Sequence, residues 1–129
     1  MEARRLKELG KELNVLYMED EEIIREQMSD ILRNLFKSVT SAPNGDEGLK
    51  LFKSGSYDLV VTDIQMPIKN GLEAAKEIKQ ISPNTPIVVT TAYSDAKLFL
   101  TSIEIGIDRY ILKPISLPNL FGSLQAVSE

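Results

Sequence analysis

The chain has 129 residues, 43% hydrophobic and 26% charged, which suits one domain with a core and leaves little for a second. Its formal charge of −4 repels nucleic acid and anionic membranes. Cysteine, histidine and tryptophan are absent, which excludes disulfides, thiolate and imidazole metal sites, cysteine nucleophiles and Ser-His-Asp triads.

The first residues, Met1 to Lys7, lack the apolar centre of a signal peptide, and no apolar run approaches the roughly 18 residues of a membrane span. A cytoplasmic protein without membrane contact is the expectation. Leu6, Leu9 and Leu13 give residues 1–13 a helical stripe outside the pattern that follows, so they read as an N-terminal helical extension or linker.

From residue 14 onward, short apolar runs alternate with amphipathic stretches. Val15 to Met18 predicts a first strand. Glu22 to Phe36 predicts a helix whose buried face carries Ile24, Met28, Ile31 and Leu35. Ser38 to Ala42 predicts a second strand. The turn Pro43-Asn44-Gly45-Asp46 leads into a short helix with Leu49 and Phe52 inward. Leu59 to Thr62 predicts a third strand, with Asp63 directly after it. Pro67 to Gly71 is loop, and Leu72 to Ile81 is helix.

Pro83 and Pro86 bracket the turn before a fourth strand, Ile87 to Thr91. Asp95 caps a helix that runs to Ile105 and stops at Gly106. Spacing at about 100° per residue places Ala96, Leu100 and Ile103 on one face of that helix. Leu98 and Ile105 fall on the other, nominally exposed face, and are the candidate partner surface. Arg109 to Leu112 predicts a fifth strand, and Ser116 caps a last helix with Leu117, Leu120, Phe121, Leu124 and Val127 on one side.

Strands three and four are apolar at successive positions, the mark of a parallel sheet covered on both faces. Five β/α units over residues 14–128 therefore predict one doubly wound α/β domain.

In such a sheet, ligands bind at the carboxyl ends of the strands. Glu19 and Asp20 follow strand one, Asp63 follows strand three, Thr91 and Ala92 close strand four, and Lys113 follows strand five. Glu21 and Glu22 are better read as acids in a helix's first turn. The clustered carboxylates need a counter-cation, and an all-oxygen set suits Mg²⁺. Asp is a competent nucleophile toward phosphoryl groups, and a cation, an ammonium, a hydroxyl and a backbone N–H suit charge neutralisation on such a group.

Leu16-Tyr17-Met18-Glu19-Asp20-Glu21, Val61-Thr62-Asp63-Ile64-Gln65-Met66-Pro67, Asn70-Gly71, Val89-Thr90-Thr91-Ala92 and Tyr110-Ile111-Leu112-Lys113-Pro114 stand in order, each after the appropriate strand. In these elements the chain resembles the receiver domain of bacterial two-component response regulators. The resemblance implies the flavodoxin-like receiver fold, a five-stranded parallel sheet in the order 2-1-3-4-5. It implies Asp63 as phosphoacceptor, and Mg²⁺ held by Glu19, Asp20, Asp63 and the backbone carbonyl of Gln65. It implies phosphoryl contacts from Thr91, the Ala92 backbone amide and Lys113, with Thr91 and Tyr110 as switch residues. It also implies a typically cis Lys113-Pro114 bond, and Gln65 and Tyr93 as flanking residues that tune the phosphoryl lifetime.

Glu19 stands where Asp is commoner in that family, so its longer arm favours a metal contact through water. The implied partners are a histidine kinase as phosphodonor, and a homodimer or output domain meeting the Asp95–Gly106 helix and the fifth strand. On this reading the chain is a switch that catalyses only its own phosphorylation and dephosphorylation. A receiver module from a longer hybrid kinase or regulator is the alternative within the class. Two weaker rivals lie outside it. An aspartate-nucleophile phosphohydrolase would want a second Asp where Gln65 stands, and a flavin carrier would want a phosphate loop where the four acids stand.

Overall fold

The computed structural model describes residues 2–92 and 95–129, with side chains in the first helix from Arg4 onward. The elements are α1 (Glu2–Gly10), β1 (Asn14–Met18), α2 (Glu22–Arg33), β2 (Ser38–Ala42), α3 (Gly45–Ser54), β3 (Leu59–Asp63), α4 (Gly71–Ile81), β4 (Ile87–Thr91), α5 (Ala96–Ile105), β5 (Arg109–Leu112) and α6 (Leu117–Ser128). All pairings in the sheet are parallel and the strand order is β2-β1-β3-β4-β5, as the resemblance implies. No described helix is long and apolar enough to cross a membrane.

Alternation along each strand feeds two cores. Leu16, Met18, Val60 and Val89 pack with α3 and α4 residues such as Leu49, Phe52, Leu72 and Ile78. Val15, Tyr17, Val61 and Val88 pack with Leu32, Leu120 and Leu124 on the opposite face. Leu6 of α1 is wholly buried in this second core, and α1 lies against α6. Gly10 lets the end of α1 close on the turn after α2, since a Cβ there would overlap the Leu35 carbonyl oxygen and the Phe36 ring.

The helix starts follow from local chemistry. Asn44, Asn70, Asp95 and Ser116 each accept a first-turn N–H through the side chain. Asn70 and Glu73 complete a reciprocal capping box. Gly106 adopts φ 93° at the end of α5, where a left-handed residue closes the helix.

Three expectations need correction. The α2 helix stops at Arg33 instead of Phe36, and its buried positions are Ser29 and Leu32, while Ile24, Met28 and Ile31 are only half-buried. Leu35 and Phe36 still reach the core, from the turn beyond the helix. Leu117 is 48% exposed, because the first residue of α6 projects before the helix has turned onto the sheet.

The third concerns α5. Leu98 and Ile105, expected to face outward, are partly buried and pack against the core with Ile107 and Tyr110. Ser102 shares their side and is buried, its hydroxyl donating to the Phe99 carbonyl at 2.6 Å. Phe99, Leu100 and Ile103 are exposed instead. Both faces of α5 are apolar, so periodicity could not choose between them. The small Ser102, with its polarity satisfied inside the helix, allows the closer approach.

Candidate functional site

Strand register brings the site together. Met18 pairs with Thr62, Asp63 with Thr90, and Thr91 with Leu112. The residues at this rim, Glu19, Asp63, Thr91 and Lys113, therefore meet at one edge. The Lys113 N–H donates to the Thr91 carbonyl at 2.7 Å, which extends the ladder to the lysine itself.

Glu19 is 1% exposed, and the Lys113 ammonium lies 3.5 Å from Glu19 Oε1 and 3.5 Å from Asp63 Oδ1. Carboxylate oxygens of Glu19, Asp20 and Asp63 all lie within 4.8 Å of one another. Burial pushes the Glu19 carboxyl above its ordinary range, with the Asp63 charge adding to it, against the Glu21 N–H and the Lys113 charge. Burial also pushes Asp63 up, and the nearby Asp20 adds to it, while Lys113 and the Ile64 N–H oppose the shift.

The surrounding backbone is fixed by further contacts, one of them from a residue outside every motif. Arg25 of α2 donates from one guanidinium nitrogen to the carbonyls of Glu19 (2.9 Å) and Asp20 (3.3 Å), pinning the acidic loop. Thr62 donates to the Asp63 carbonyl at 2.8 Å, and the Ile64 N–H donates to Asp63 Oδ1 at 2.9 Å. Gly71 lets the start of α4 pass beneath Asp63, since a Cβ would overlap the Asp63 carbonyl oxygen. Nothing in the sequence marks Arg25, because a basic residue on an α-helix is usually a solvated one.

Thr91 is fully buried and its hydroxyl donates to Gln65 Oε1 at 2.9 Å. Ala92 follows it at the exposed rim. Tyr93 lies outside the described residues. The Lys113-Pro114 peptide is cis. Tyr110 packs edge-on against Phe99, with ring centroids 5.2 Å apart, and its buried hydroxyl has no hydrogen-bond partner among the described residues. Burial and the Asp95 charge push that phenol's pKa up. Tyr110, Phe99, Asp95 and Leu112 line a groove of about 600 Å³ bounded across from α5 by Asn119 and Ser123 of α6.

The arrangement is an open parallel α/β domain with a carboxylate cluster, a buried hydroxyl and an ammonium at the carboxyl edge of its sheet. The donor set fits a hard divalent cation: three carboxylates converge with no nitrogen or sulfur ligand among them.

The chain belongs to the response regulator receiver domain family, whose model matches residues 15–125. It is therefore a receiver domain of two-component signalling. It is 33% identical over 113 residues to the chemotaxis protein CheY of Halobacterium salinarum, which covers 88% of this chain and 94% of that protein. It is 35% identical to the probable transcriptional regulator ycf27 of Cyanidium caldarium over 94% of this chain but only 48% of that protein. Among solved structures, the response regulator TrrA of Thermotoga maritima in complex with Mg²⁺ and BeF superposes with a TM-score of 0.81 at 36% identity, over 89% of this chain and 98% of that one.

Proposed function

We propose that this domain is a phosphoacceptor switch in which a histidine kinase donates a phosphoryl group to Asp63. The convergence of Lys113 on both Glu19 and Asp63, beside buried Thr91, is the observation that carries this reading. An Asp63 carboxylate oxygen attacks phosphorus and the bond to the donor's imidazole nitrogen breaks, leaving an acyl phosphate on Asp63. With no histidine in this chain, the donor imidazole belongs to another domain or protein.

Glu19, Asp20 and Asp63 would hold Mg²⁺ with the Gln65 carbonyl; when bound, the ion supplies positive charge to the phosphoryl oxygens. Lys113 neutralises the resting acids and pairs with the phosphoryl group once it is on Asp63. Thr91 offers its hydroxyl, and the Ala92 N–H a further donor.

The domain catalyses only this transfer to and from itself. Its output passes to a homodimer partner or an output domain through α5 and β5, where Phe99, Leu100, Ile103 and Leu112 stand exposed. The domain works in the cytoplasm and makes no direct contact with nucleic acid. Incubation with acetyl phosphate and Mg²⁺ should add one phosphoryl group by intact-mass analysis, and Asp63→Asn should abolish it. Undiminished labelling of Asp63→Asn would overturn the assignment.

A further inference from the structure

The hydrogen bond from Thr91 Oγ1 to Gln65 Oε1 joins the end of β4 to the loop after β3 at the edge of the sheet. Gln65 is half-buried two residues past Asp63, and Thr91 is the last residue of β4. A hydroxyl carries one proton, so Thr91 donates to one strong acceptor at a time. The Gln65 amide oxygen and a phosphoryl oxygen on Asp63 must compete for it.

We propose that the Gln65 side chain is a resting-state latch on Thr91. It holds the hydroxyl while Asp63 is unmodified and is displaced when the phosphoryl group takes the same proton. The inference rests on Asp63 as phosphoacceptor and adds a positioning role to a residue two places beyond it.

The residue type suits the task. Glutamine presents a neutral acceptor on a two-methylene arm. A glutamate would accept as well but would add a fourth negative charge beside Glu19, Asp20 and Asp63. An apolar side chain would leave the resting hydroxyl without this acceptor.

The latch also links the site to the rest of the fold. Gln65 lies in the loop between β3 and α4, whose two ends are joined by the Gly71 N–H donating to the Ile64 carbonyl (2.9 Å) and which is tied to α3 by the Gly45 N–H donating to the Lys69 carbonyl (2.9 Å). Release of Gln65 therefore loosens a loop anchored on both α3 and α4. A single hydrogen bond biases the resting state severalfold without locking it, which leaves room for phosphorylation to reverse the balance.

The test is calorimetric titration with beryllofluoride and Mg²⁺, beryllofluoride being a stable mimic of a phosphoryl group on a carboxylate. The chains are the wild type, Gln65→Met, Thr91→Val and the double variant; all keep the Gln65 backbone carbonyl. Gln65→Met, which keeps length but loses the acceptor, should bind about three- to tenfold more tightly than the wild type. The same substitution in the Thr91→Val background should change affinity less than about twofold, because the latch has nothing left to hold. Gln65→Ala should repeat the gain, which separates loss of the acceptor from any effect of the methionine. Unchanged or weaker binding by both Gln65 variants, or an equal gain in both backgrounds, would overturn the latch. Failure of the wild type to bind would overturn the phosphoacceptor reading and the latch with it.

Discussion

Replacing Lys113 by methionine keeps most of the stem and removes the charge. Its ammonium sits 3.5 Å from Glu19 and 3.5 Å from Asp63. At an effective dielectric of about 20, each pair is worth about 5 kcal/mol of Coulomb energy. The metal-free variant need not lose all of it, because one carboxyl can take up a proton. Starting from an ordinary carboxyl pKa of about 4.3, that protonation costs about 4 kcal/mol at pH 7 and about 1 kcal/mol at pH 5.

Lys113→Met should therefore lose roughly 2–4 kcal/mol of stability at pH 7, with the loss shrinking toward pH 5. The sign follows from linkage: a folded state that binds one proton more than the unfolded chain loses about 1.4 kcal/mol per pH unit as pH rises. Urea unfolding in EDTA at pH 5, 6 and 7 measures the slope. Mg²⁺ should recover part of the loss by replacing the missing positive charge. A loss of equal size at every pH would mean that neither carboxyl takes up a proton when the ammonium is removed, and the electrostatic account of the site would be wrong.

In the wild type, burial raises both Glu19 and Asp63, so the protonated forms favour the folded state; that contribution is present below the ordinary carboxyl pKa and lost as pH rises through the raised values. Asp63→Asn should accordingly stabilise the metal-free protein at pH 7 by about 1 kcal/mol in urea unfolding, and a destabilised variant would contradict the shift. Asp20→Ala should weaken Mg²⁺ binding at least about tenfold and more than Glu19→Ala does, since Glu19 is buried against Lys113 whereas Asp20 is exposed. A metal titration giving the reverse order would refute this. Ile68 is 81% exposed and holds φ 71°, a left-handed conformation that strains a β-branched residue, so Ile68→Asn should raise stability by about 1 kcal/mol in thermal unfolding. An unchanged midpoint would show that the loop relaxes around the isoleucine.

The site was legible to the extent that its chemistry sits directly after apolar runs. Glu19, Asp20, Asp63, Thr91 and Lys113 could be named because a parallel sheet delivers the ends of its strands to one edge. Arg25 was invisible, as its contacts go to backbone carbonyls six and five residues before it. The pairing of Gln65 with Thr91 was equally hidden, since 26 residues separate them and either could have faced elsewhere.

Strand limits followed closely from apolar runs bounded by Pro, Gly and Asn, and two of the four side-chain caps, Asp95 and Ser116, were readable as local hydrogen-bond chemistry. These features depend on neighbours within a few residues, so the sequence by itself determined them. Which face of α5 turns inward did not follow, because Leu98 and Ile105 compete with Leu100 and Ile103 on nearly equal terms. The tertiary structure decided it through the buried Ser102 and the packing against the core beside α4. Lys113 was likewise placed by sequence at a strand end, but only the register of β1, β3, β4 and β5 sets its ammonium at the same distance from Glu19 and Asp63. Period and capping are local and survive in a fragment; the choice of face and the choice of partner are made between segments distant in the chain, where burial and charge act only after the sheet has assembled.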